Sequence, residues 1–145
     1  MHGSGGDRAS MLGRARLLHQ AGVALPLELT MKLPPTPYAR QGGEVIAAQL
    51  AKVGITAKIE NVEWAQWLSG AFKGNYDLTI ISHVEPLDFD RYADPNYYWG
   101  YDSKPFRELL ATYNASTDAK ARLKIVGDIQ RRLADDQVNA WLFQL

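Results

Sequence analysis

Between positions 83 and 102 the chain gathers side chains that could recognise an organic ligand. Glu85, Asp88, Asp90, Asp94 and Asp102 accompany Phe89, Tyr92, Tyr97, Tyr98, Trp99 and Tyr101, with Arg91 the only basic group in the run 85–102. Carboxylates and aromatic ring faces both attract positive charge, so the mixture suits a cationic or amine-bearing solute. His83 stands just ahead of it. The candidate ligand-binding residues are therefore His83, Glu85, Asp88, Tyr97, Tyr98 and Trp99.

Catalysis is harder to assemble from this chain. Gly-x-Ser-x-Gly is absent, and Ser69 lies inside a helical stripe with no base at a readable spacing, so no catalytic residue is assigned. His83, Glu85, Asp88, Asp90 and Asp94 are the nearest approach to a metal set. Asp88-x-Asp90 lacks the glycine and distal glutamate of a calcium loop, no second histidine is at ligand spacing, and no metal is expected. Gly3-Ser4-Gly5-Gly6 follows no strand, and Pro34-Pro35-Thr36-Pro37 offers few backbone N–H groups to a phosphate, so no nucleotide or other cofactor is expected either. Asp135–Asp136 reads as a solvated turn and His19 as a helix-end cation.

Composition narrows the field further. With 16 basic and 16 acidic side chains the net charge is zero, which leaves no electrostatic footprint for nucleic acid. The absence of cysteine excludes disulfides, thiol nucleophiles and thiolate metal sites. No apolar run is long enough to span a bilayer, and Met1–Gly6 (MHGSGG) reads as a non-native leader rather than a signal peptide. A length of 145 residues suits one folded lobe over 7–145 with a single core.

The elements that must position the cluster follow from hydrophobic periodicity. A helix after Asp7 carries Met11, Leu12, Ala15 and Leu18 and ends at Gly22. Leu27, Leu29, Met31 and Leu33 alternate with polar residues, a strand that Pro34, Pro35 and Pro37 forbid from continuing. Thr36 is the expected N-cap of a helix with Ile46, Leu50 and Val53 on one face, ending at Gly54. Ile55, Ala57 and Ile59 mark a second strand, Glu63–Phe72 a helix, and Tyr76–Val84 a third strand. The long loop 85–102 interrupts this alternation, as functional loops do. Helices then open at Asp102–Ser103 and at Ser116–Thr117, and Val138–Leu145 reads as a final strand. Right-handed crossovers make this an α/β fold with an open, mostly parallel sheet and helices on both faces.

The run Glu44–Trp67, EVIAAQLAKVGITAKIENVEWAQW, resembles the C-terminal lobe of the dipeptide/oligopeptide/nickel family (family 5) of solute-binding proteins of ABC importers. The likeness rests on Leu50, Gly54 and Ile55 before the strand, and on Glu63, Trp64, Trp67 and Leu68 after it. Tyr76-Asp77-Leu78, Glu85-Pro86-Leu87-Asp88 and Asp102–Leu110 extend it, so that it covers nearly all of 15–145. The resemblance implies one lobe of a periplasmic-binding-protein type II fold, with no catalysis. It further implies a periplasmic or extracytoplasmic receptor that closes by hinge motion on a peptide or related small solute and delivers it to a membrane permease.

Two departures from the family pattern stand out. Where peptide-binding members can place a basic residue after the first strand, this chain has Leu33-Pro34-Pro35-Thr36. Where they place an aspartate for the ligand amine, Ser82-His83-Val84-Glu85 leaves Glu85 as a shifted candidate. The resemblance begins inside the second lobe, so an isolated lobe without its N-terminal partner lobe is expected, one that folds but holds solute weakly. Exposed aromatics on such a lobe would favour self-association. The alternation alone equally suits a small flavodoxin-like enzyme or regulatory domain with its site in the 83–102 loop.

Overall fold

The computed structural model describes residues 13, 16–83 and 88–143. Its packing divides into two compact units, Met1–His83 and Val84–Leu145. Two clusters of buried side chains, one in each unit, stand where the chain length suggests a single core.

In the first unit, β1 (Leu27–Leu33), α1 (Pro37–Ala51), β2 (Ile55–Asn61), α2 (Trp64–Ser69) and β3 (Leu78–Thr79) succeed one another. The strands are parallel in the order β2-β1-β3, as the crossover reading requires. β1 and β2 pair in register from Leu27 opposite Ile55 to Leu33 opposite Asn61. Met31, Leu33, Ala39 and Ile80 form the buried cluster, with Ile46 and Leu50 of α1 and Ala57 and Ile59 of β2 packed around it. The period-two pattern in β1 and β2 and the 3.6 pattern in α1 thus point at one another.

Trp67 is buried in α2, and its indole N–H donates to Thr79 Oγ1 at 3.0 Å, while that hydroxyl donates to Lys32 O at 2.7 Å. One threonine therefore ties a helix to two strands.

Several sequence-level expectations are corrected here. The third strand, expected over Tyr76–Val84, pairs only through Leu78–Thr79. β1 ends at Leu33, and Pro34 and Pro35 bring no N–H to extend the ladder, so the residues after Thr79 lose their partner. The helix expected over Glu63–Phe72 splits at Gly70 into α2 and a 3-10 turn, Ala71–Lys73, closed by Gly74 at φ 83°. Thr36 takes extended N-cap backbone angles but its side chain makes no capping bond. Of the expected first helix, residues 16–20 are helical and carry Leu18; Met11, Leu12 and Ala15 lie outside the described residues.

In the second unit, α3 (Lys104–Ala115) and α4 (Ala119–Asp135) follow a 3-10 helix, Asp88–Ala93. Ser103 Oγ caps α3 by accepting from Phe106 N, and the N-cap of α4 is Asp118, not Ser116 or Thr117. Phe106, Ile129, Leu133 and Tyr92 make the buried cluster. Arg122 lies 3.8 Å from the Tyr113 ring centroid and donates to the carbonyls of Tyr113 and Ser116, closing the end of α3 from α4. The final strand expected over 138–145 is not formed by the described residues 138–143. Trp141, Leu142 and Phe143 stay exposed, because β propensity alone makes no strand without a ladder to join.

Candidate ligand-binding site

Strand order 2-1-3 places a topological switch point between β1 and β3, and in open parallel sheets ligands gather beyond the carboxyl ends of the strands there. In this protein that edge is Pro34-Pro35-Thr36 after β1 and Ile80-Ile81-Ser82-His83 after β3. Tyr38, one residue into α1, reaches across it: its hydroxyl accepts the Ser82 N–H at 3.1 Å. This bond takes over the role of the missing ladder partner and holds the segment that leads to His83. Periodicity does not flag Tyr38. The signal for it was a hydroxyl-bearing aromatic at the start of the helix that follows a strand end.

His83 is exposed at the end of the first unit. Glu85 lies outside the described residues. Asp88, Tyr97, Tyr98 and Trp99 all belong to the second unit, where the structure brings the three aromatics together: ring centroids lie 5.0 Å apart for Tyr97 and Tyr98, 4.4 Å for Tyr97 and Trp99, and 4.9 Å for Tyr98 and Trp99. Their surroundings differ. Tyr98 is buried to 7% exposure, and Trp99 stacks on Tyr92 at 4.2 Å and 15°. Tyr92 in turn packs on Phe106 and Tyr101, so Tyr98 and Trp99 join the core side of the cluster. Tyr97 is half-buried with the Arg91 guanidinium 5.9 Å from its ring centroid. Asp88 is half-buried and Asp90 exposed.

The remaining acids of the loop hold its shape. Asp94 Oδ1 accepts the Asn96 N–H at 2.9 Å and its carbonyl accepts from Tyr97, building a turn that ends at Gly100 with φ 60°. Asp102 pairs with Arg107 of α3. Asp136, expected in a solvated turn, is instead tied down: Tyr101 donates its O–H at 2.5 Å, and Arg132 donates Nε and Nη2 at 2.9 and 2.7 Å. These bonds hold the Asp136 carboxyl below the usual carboxylate range, the tyrosine's first and the arginine's next.

Burial pushes the Tyr92 phenol up to about 12, and the charge of Asp88 adds to it, while the amide N–H donated by Asn139 works the other way. The folded state thus favours the neutral phenol. Its stabilising effect is complete below the unfolded value of about 10 and is lost as pH rises from there towards 12. Alkaline unfolding followed by circular dichroism is expected to begin in that window. Tyr92→Phe is expected to flatten it, and an unchanged alkaline limb in this variant would contradict the assignment.

The chain resembles solved structures over most of its length. A periplasmic binding protein, DppA, from Helicobacter pylori in complex with the peptide STSA matches 86% of this chain and 27% of its own, with a TM-score of 0.70 and 24% identity. NikA from Staphylococcus aureus in complex with Ni(L-His)2 matches 89% of this chain and 30% of its own, at TM-score 0.77 and 20% identity. These likenesses define the fold class as α/β, of the periplasmic-binding-protein type II. A family model, bacterial extracellular solute-binding proteins, family 5 Middle, matches residues 13–106, more than half of the chain, and the chain belongs to that family.

Among curated relatives, the dipeptide-binding protein of Escherichia coli (strain K12) is 28% identical over 132 residues, 79% of this chain. Di/tripeptide-binding protein 3 of Pseudomonas aeruginosa (strain UCBPP-PA14) is 38% identical over 70 residues, 45% of this chain. The chain spans 24% and 13% of the lengths of these two relatives.

Proposed function

We propose that this chain is part of the solute-binding lobe of an extracytoplasmic receptor that hands a peptide or related small solute to an ABC-importer permease. The family match over residues 13–106 carries the reading, and the peptide-binding names of the relatives favour a peptide. The chain works by binding, without catalysis. The residues offered to solute are Ser82 and His83 at the strand edge of the first unit and, separately, Asp88 and Tyr97 in the second, where Tyr98 and Trp99 stiffen the loop; Glu85 remains a candidate on the sequence alone. A second wall comes from the part of the family's length outside the matched segment, so this chain alone holds solute weakly.

Amide chemical-shift mapping with millimolar dipeptide tests the reading. Shifts are expected at Ser82, His83 and Asp88 and not along β2. The absence of any shift with di- and tripeptides, or shifts confined to β2, would overturn it.

A further inference from the structure

Beyond the two-residue ladder of β3, side-chain oxygens hold the segment that runs towards His83. Asp77 Oδ2 accepts the Thr30 N–H at 2.8 Å, and Thr79 Oγ1 donates to Lys32 O at 2.7 Å. The third of these oxygens is the Tyr38 hydroxyl, which accepts the Ser82 N–H at 3.1 Å. It stands where β1 has no carbonyl left to offer. Leu33 O accepts the Val62 N–H at 3.0 Å on the β2 side, and Pro34 O accepts the Thr36 N–H at 2.8 Å in the turn that follows. Both carbonyls after Lys32 are committed elsewhere, so the half-buried Ser82 amide takes its acceptor from a side chain.

The post that carries this acceptor is rigid. Tyr38 is the second residue of α1, and its side chain packs against the buried cluster of Met31, Leu33, Ala39 and Ile80. Ala39 beside it is fully buried. Ile80 is buried in the same cluster, so the segment is fixed at Ile80 by packing and at Ser82 by the bond. His83 leaves from a set point, although no ladder extends that far.

We propose that Tyr38 is a positioning residue for solute, acting through the Ser82 N–H to fix the backbone of 81–83 before solute arrives. The inference rests on the solute-binding reading above. Without the bond, Ile81 and Ser82 recover backbone freedom, and ordering them again opposes binding. Fixing one residue's backbone corresponds to about tenfold in affinity. Tyr38→Phe keeps the packed ring and removes the acceptor, so it is expected to weaken solute binding by about that factor.

Amide NMR of the full chain, titrated with di- and trialanine, tests this beside a control. Ile59→Val trims a β2 side chain packed against the same cluster and is expected to lower stability about as much as loss of one hydrogen bond. In Tyr38→Phe, the Ser82 amide is expected to exchange with solvent about tenfold faster and peptide affinity to fall about tenfold. In Ile59→Val, both are expected to match the parent. If the parent binds peptide and Tyr38→Phe binds it equally well, the positioning role is overturned and the solute-binding reading stands. Equal weakening in the two variants would reduce Tyr38 to a core residue and overturn it too. A parent that responds to neither peptide would overturn the solute-binding reading and the proposal together.

Discussion

Phe106→Ala is expected to cost about 3–5 kcal/mol of unfolding free energy, read as a large fall in the thermal midpoint. Phe106 is fully buried, and Tyr92 and Tyr101 pack against its ring at 6.1 and 5.6 Å. Removing it leaves a cavity lined by rings that cannot collapse without giving up their own stacking. Trp99→Ala belongs to the same series at about 2–4 kcal/mol, since it removes the ring stacked on Tyr92 at 4.2 Å. Reading Trp99 as a ligand-binding residue leads to the opposite expectation, that its loss disturbs ligand response or self-association more than folding. A thermal midpoint unchanged in Trp99→Ala would restore that first reading.

The second large effect is a contrast between neighbours. A Cβ at Gly43 would overlap Leu33 Cδ1 and meet Cδ2 at 3.1 Å and Cγ at 3.3 Å, and Leu33 is fully buried in the sheet core. α1 sits this close to β1 only because position 43 has no side chain, so Gly43→Ala is expected to destabilise by about 1–3 kcal/mol through overpacking. At Gly42 the same atom would meet Ile80 Cδ1 at 3.9 Å, an ordinary contact. There, alanine's better helix propensity should dominate and stabilise by up to about 1 kcal/mol. Denaturant midpoints of the two variants should move in opposite directions. Equal shifts would mean that α1 is free to slide on the sheet.

The core of the first unit was the most legible part of the sequence. Alternation in β1 and β2, the amphipathic face of α1 and the prolines after Leu33 are local signals, and each element they predict is present. The third strand was overextended because apolar density at Leu78–Val84 reports burial and not pairing; Ile80 is buried without being in the ladder. The final strand failed for the same reason: apolar side chains at 138–145 record a propensity, and strand formation needs a partner.

The candidate site divides similarly. An aromatic–acidic cluster was legible between 83 and 102, but its division of labour was not. Sequence spacing could not show that Asp94 and Asp102 are spent on a turn and an ion pair, that Tyr98 and Trp99 face the core, or that Tyr38 crosses to Ser82. Only the Tyr38–Ser82 bond spans a long sequence separation; the others are local contacts among several that the same spacing allows, and packing selects between them.

By itself, then, the sequence determined the strand–helix order of the first unit, the family and the location of the cluster, since periodicity and short motifs are carried by neighbours along the chain. Only the tertiary structure decided which residues of that cluster are buried and which are exposed, and where the β3 ladder stops. Burial, hydrogen-bond satisfaction and strand edges are properties of the packed assembly. A tyrosine or an aspartate takes its role from what the rest of the chain places against it.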